Sequence, residues 1–162
     1  MIEIHPTARV SALADIEDSV RGSRIILAEG VVIDSFVKIK PAGGRGDVLI
    51  GERTTINSGC VLYTGNGIRI GSDVAIAANC TFAPVNHEYA DRGTLIRKQG
   101  FRASKGGIVV GNDVWIGAHC VLLDGAFVGD GCVIAAGSLV RGALEPYSVY
   151  SGTPLRQVGR RT

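Results

Sequence analysis

Three histidines, four cysteines and a set of arginines near the C-terminus carry most of the reactive chemistry of this 162-residue chain. His87 sits in the run NHEY, inside a polar, charged stretch at 83–107. A neutral imidazole is the usual general base near pH 7, and one on a long loop is placed to reach a substrate. Glu88, next in sequence, either orients that ring, as the third group of a triad does, or is a solvated loop carboxylate. His119, between Ala118 and Cys120, reads as a plain outward wall residue, and His5, in IHPTARV, as part of the first repeat. No CxxC pair occurs among Cys60, Cys80, Cys120 and Cys132. The expectation is four buried free thiols, with no disulfide frame, no zinc ribbon and no nucleophile. Asn57, in TTINSGCVL, reads on its own as an asparagine filling a corner of the repeat, with an amide that both donates and accepts. Arg141, Arg156, Arg160 and Arg161 offer guanidinium forks suited to phosphate oxygens.

These groups need a frame, and the frame is periodic. An aliphatic residue recurs every six positions through Val110, Ile116, Leu122, Val128, Ile134 and Val140. The same step gives Ile50, Ile56, Leu62, then Ile70, Ile76, Phe82, and earlier Leu27, Ile33, Ile39 and Ile4, Val10, Ile16. A second register, four places on, holds Val114, Cys120, Ala126, Cys132 and Ser138. Six is neither a helical nor a simple strand period. It suits a short strand plus a sharp corner, three of which close a triangular coil of about eighteen residues, so that coils stack into a parallel β-helix. Glycine at 23 of 162 and aromatics at 6% agree with many tight turns around a narrow core. The expected organisation is one domain, 1–162. It has coils over 4–140, a short excursion at 41–48, a projecting loop at 83–107, and a cap with a basic tail at 144–162.

A hydrophobic fraction of 46% with 20% charge excludes a disordered chain. A net charge of +2 argues against a polybasic nucleic-acid or membrane binder. Apolar runs are too short to span a bilayer, and MIEIHPTARV shows no export signal, so a cytoplasmic placement is expected.

The segments VVGNDVWIGAHCVLLDGAFVGDGCVIAAGSLV and EPYSVYSGTPLRQV resemble the C-terminal half of bacterial sugar O-acetyltransferases of the hexapeptide-repeat family. NHEYADRGTLIRKQGF resembles the catalytic loop of members acting on surface-polysaccharide sugars. The resemblance implies a left-handed parallel β-helix, against the usual right-handed crossover rule. It also implies acetyl transfer from acetyl-CoA to a sugar hydroxyl by direct attack, with His87 as base and no metal. Acceptor contacts fall on Asn57, Asn86 and Tyr89, with Asp91, Arg92 and Arg97 nearby. Coenzyme contacts fall on the main chain at Ala118 and Ala136, on Trp115, which lines the channel or packs between coils, and on Arg141, Arg156 and Arg160. Gly142 stands where many members carry a phosphate-binding lysine, and Arg141 is the expected substitute. A homotrimer with sites between subunits is implied as well.

Alternatives of the same fold are a sugar-amine N-acetyltransferase, an antibiotic O-acetyltransferase, a gamma-class carbonic-anhydrase-like zinc protein and a non-catalytic scaffold. The zinc reading lacks a third histidine after His119, where Asp124 is the one carboxylate at hand.

Overall fold

The computed structural model describes residues 1–162 and shows a three-sided parallel β-helix, left-handed, with almost no α-helix. Each coil lays one short strand on each of three faces. Face one carries seven strands, beginning with Ile2–Ile4 and Ile25–Leu27 and ending at Ala143–Leu144. Face two carries eight, from Arg9–Val10 through Trp115–Ile116 to Ser148–Ser151 and Arg156–Arg160. Face three carries six, among them Lys38–Lys40, Thr81–Ala83, Val121–Leu123 and Leu139–Val140. The pairing is parallel throughout, except that the last two strands of face two form an antiparallel hairpin.

Register explains the six-residue step. Ile76 pairs with Ile56 and Ile116, and Phe82 with Leu62 and Leu122, so aliphatic side chains of successive coils stack in columns along the axis. Thirty buried side chains form one continuous core. Phe82 and Tyr150 are its only aromatics, because a narrow prism has little room for rings. All four cysteines lie in this core and are free. Against a lowering contact from Cys120, the Cys60 thiol and then burial push the Cys80 thiol up to about 11, and the Cys80 thiol and then burial push that of Cys120 higher still.

The expected eighteen-residue coil occurs between Ile108 and its partner Ala126. Other steps differ: Ile25 pairs with Val48 and Ile68 with Ile108, because extra residues enter each turn. All of these additions fall at one edge, where the chain passes from face three to face one: 17–24, 41–47, 64–67 and 84–107. Ile4 is a correction to the core expectation. It is 46% exposed, since the first coil has a neighbour on one side only. At the other end Tyr150 packs against the core, and its hydroxyl accepts the Glu145 N–H at 3.0 Å.

Candidate functional site

The long loop leaves face three after Ala83 and re-enters face one at Ile108. Its two legs pair with each other. Arg102 N donates to Asn86 O at 2.8 Å, Glu88 N donates to Gly100 O at 3.0 Å, and His87 bridges Phe101 between them. The tip is a single helical turn, Ile96–Gln99. The Asp91 carboxylate fixes the tip by accepting from Thr94 Oγ1 at 2.6 Å and Gly93 N at 2.8 Å. These bonds, the hydroxyl first, hold its carboxyl below the usual range.

Asp124 anchors the returning leg. It is only 5% exposed, and its two oxygens accept the N–H groups of Lys105 at 2.8 Å and Gly107 at 2.9 Å. A buried carboxylate is tolerated there because both oxygens have partners. The residue that a zinc site would need as a ligand is therefore committed to the loop backbone. The three histidines stand at three different edges of the prism, and no three His, Cys, Asp or Glu side chains gather to hold a metal.

Between loop and wall lies a cleft lined by Asn86, His87, Tyr89, Arg102, Lys105, Leu123, Asp124 and Arg141. The His87 ring is exposed and leans on Phe101, with ring centroids 4.6 Å apart and planes at 45°. That contact fixes the imidazole's direction while both ring nitrogens stay free of protein partners. Glu88 does not orient it, which corrects the triad expectation. Its carboxylate accepts the N–H groups of Tyr89 at 2.9 Å and Ala90 at 3.3 Å, closing a local turn, and meets Arg102 Nη2 at 3.4 Å. The two amides, Tyr89 first, hold the Glu88 carboxyl below the usual range. The Arg102 guanidinium also covers the Tyr89 ring at 4.2 Å. Three cations thus face the cleft, and the carboxylates beside them are already bonded. The site is electropositive.

Of the residues singled out by sequence, Asn86, His87, Tyr89 and Arg141 share this cleft. The others lie elsewhere on the same chain. Asn57 Nδ2 donates to Ile76 O at 2.7 Å, tying it to the next coil as a corner residue would be, while its Oδ1 accepts nothing from the chain. Trp115 projects from face two, 55% exposed. Ala118 and Ala136 stack at the edge between faces two and three, joined by Gly137 N donating to Ala118 O at 2.8 Å. Their own N–H groups donate to no acceptor in the chain, and Ala118 is half-buried while Ala136 is exposed. Gly117 permits that stacking, since a Cβ there would lie 2.5 Å from Ala136 N. Arg156 and Arg160 are exposed on the terminal strand. Arg161 is not a free cation: its Nη1 donates to Asp113 Oδ2 at 2.9 Å and Gly131 O at 3.1 Å, tying the hairpin to the wall. Sequence reasoning missed Arg102 and Lys105, which carry no motif of their own, and gave no role to Phe101, the last residue of the quoted loop segment. The Asp124-Gly125 corner was the one available sign of an anchor.

The imidazole cleft and the amide column occupy opposite edges of face three. Ala118 and Asp124 lie in the turns at the two ends of the strand Val121–Leu123, whose three extended residues alone span about 10 Å. Within one protomer the two groups stand at opposite ends of that strand.

Residues 107–142 match the family described as bacterial transferase hexapeptide (six repeats). The chain is 35% identical to galactoside O-acetyltransferase of Escherichia coli over 116 residues, 69% of this chain and 53% of that protein. It is 25% identical to the putative lipopolysaccharide biosynthesis O-acetyl transferase WbbJ of the same species, over 83% of this chain and 68% of the relative. AntD, an N-acyltransferase from Bacillus cereus solved with dTDP and 3-hydroxybutyryl-CoA, superposes with a TM-score of 0.81 at 21% identity, over 99% of this chain and 83% of that one. The chain spans about half the length of the galactoside enzyme and roughly a third of other curated relatives that it matches. No helix is long and apolar enough to cross a membrane.

Proposed function

Since the chain belongs to the hexapeptide-repeat family, we propose that it is an acyltransferase moving an acetyl group from acetyl-CoA to a sugar hydroxyl, in the cytoplasm and in the service of surface-polysaccharide synthesis. The observation that carries this reading is the exposed imidazole of His87, held over a cationic cleft on a loop whose legs and return are all hydrogen-bonded.

In this reading His87 takes the proton of the sugar hydroxyl as that oxygen attacks the thioester carbonyl. The C–S bond then breaks, and coenzyme A leaves as a thiolate that regains a proton from the imidazolium. No covalent enzyme intermediate is required. The free N–H column of Ala118 and Ala136 suits the amides of pantetheine, with Trp115 flanking the channel. Arg141, Arg156 and Arg160 supply cations for the coenzyme phosphates. Asn86 and Tyr89 bear on the acceptor.

The placement of imidazole and amide column on opposite edges of face three supports a homotrimer, in which the imidazole of one protomer meets the amide column of its neighbour. Galactoside O-acetyltransferase, at 35% identity, favours a hydroxyl acceptor. AntD, named an N-acyltransferase, is the reason to test amines beside hydroxyls.

The deciding experiment is a thiol-release assay with acetyl-CoA against neutral, amino and phosphorylated sugars, run on wild type and His87→Gln. Release that needs an acceptor and collapses in the variant supports the reading. Binding of neither acetyl-CoA nor any acceptor overturns it.

A further inference from the structure

A second hollow lies on the same edge of the prism as the imidazole. Arg45, Asp47, Asn66, Arg69 and Gly106 are among its lining residues. Its one carboxylate, Asp47, is already taken. Arg24 N and Arg24 Nη2 each donate to it at 2.8 Å. The guanidinium groups of Arg45 and Arg69 and the side-chain amide of Asn66 have no hydrogen-bond partner in the chain, so the hollow presents two strong cationic donors, and its one unpaired acceptor side chain is the neutral Asn66 amide oxygen. Its floor includes the main chain of Gly46 and Gly67, which pack directly against each other: a Cβ on Gly46 would collide with Gly67 N.

Two observations join this hollow to the cleft. Lys105 lines the cleft and the next residue, Gly106, lines the hollow, so one stretch of loop separates them. Gly43, two residues before Arg45, packs under the ring that supports the imidazole: a Cβ there would lie 3.3 Å from Phe101 Cζ.

We propose that this hollow binds the phosphate groups of the acyl acceptor, which is accordingly a sugar joined to a phosphate or diphosphate. Arg45 and Arg69 grip the phosphate oxygens through charge-assisted bonds, Asn66 adds a neutral donor, and the attached sugar extends past Gly106 toward His87. A neutral free sugar would leave two guanidinium groups unused. The proposal rests on the transferase reading for the direction in which the sugar points. The phosphate itself is common to a nucleotide sugar and to a lipid-linked sugar diphosphate.

The test uses the full chain saturated with coenzyme A, titrated calorimetrically with inorganic pyrophosphate. Binding is expected in wild type, with a loss of about tenfold or more in Arg45→Ala and in Arg69→Ala and a weakening with added salt. Arg45→Lys should keep part of the affinity. A UDP-sugar and a farnesyl-diphosphate sugar are then used as competitors, and the one that displaces pyrophosphate identifies the source. In thiol release, KM for that acceptor should rise at least tenfold in both variants while KM for acetyl-CoA holds. Pyrophosphate that does not bind, or binds both alanine variants as well as wild type, overturns the proposal. So does a loss of coenzyme affinity in the variants, which would assign the hollow to the donor. Intact, arginine-dependent pyrophosphate binding with no acyl transfer to any acceptor would overturn the transferase reading alone.

Discussion

If imidazole and amide column meet only across a subunit boundary, two inactive proteins should repair each other. His87→Gln removes the base and leaves the wall intact. Ala136→Glu keeps the base and sets a carboxylate on the exposed column where pantetheine and phosphates would pass. Each variant alone should retain little activity, the first because general-base catalysis is worth roughly 10²–10⁴-fold. Mixed at equal amounts, dissociated and reassociated, a given boundary draws its imidazole and its wall independently. It receives a competent imidazole from Ala136→Glu half the time and a competent wall from His87→Gln half the time, so about one quarter of wild-type activity should return in a symmetric ring. Thiol release before and after reassociation measures the recovery, and light scattering checks that the mixed species is a trimer. Failure of activity to rise above the sum of the separate variants, with mixed trimers demonstrated, would refute the reasoning: each site would then be built within one chain.

Asp124→Ala strips the buried Gly107 N–H of its partner and frees the loop's return. An orphaned buried donor bound to a carboxylate is worth about 2–4 kcal/mol, so that amide should exchange roughly 30- to 1,000-fold faster in deuterium labelling. The turnover rate should fall by about 10²-fold through misplacement of the imidazole, and wild-type exchange would count against the anchor. Glu88→Gln should leave the pH profile of transfer near neutrality unchanged, because the carboxylate turns away from the ring. The Glu88 carboxyl is depressed in the folded loop. Its contribution is therefore whole above the unfolded value and drains as pH falls through the folded one, so wild-type loop order should weaken only in acid, below about pH 4. Iodoacetamide at pH 8 should label no cysteine in the native protein and four in guanidinium, since Cys60, Cys80, Cys120 and Cys132 are all fully buried; native labelling, read by mass spectrometry, would contradict the core.

The wall was legible because a parallel β-helix writes its inside and outside directly into sequence. Ile56, Ile76, Ile116 and Ile134 each follow another aliphatic residue by six positions because they occupy the same place in successive coils and stack as one column. The cysteines were legible for the same reason. What periodicity cannot carry is anything held by side-chain bonding between distant segments. Glu88 adjoins the imidazole in sequence, yet a shorter route to the amides of Tyr89 and Ala90 claims it. Asp124 looked like a spare ligand because the amides it accepts lie 17 and 19 residues earlier. Arg161 read as one more phosphate cation, but the terminal hairpin folds it back onto Asp113. Coil length drifted from eighteen because inserted residues at a corner leave no mark on the step within each strand.

Confining every extra residue to a single seam makes the body indifferent to what is sewn there. Exchanging 86–103 for a foreign segment of another length, with the Lys105 and Gly107 amides kept to satisfy Asp124, should leave the stacked columns undisturbed, since Ile68 and Ile108 pair directly across the gap. The protein is in that sense a chassis with one socket, whose frame is set by the columns and whose variation is confined to the corner between faces three and one.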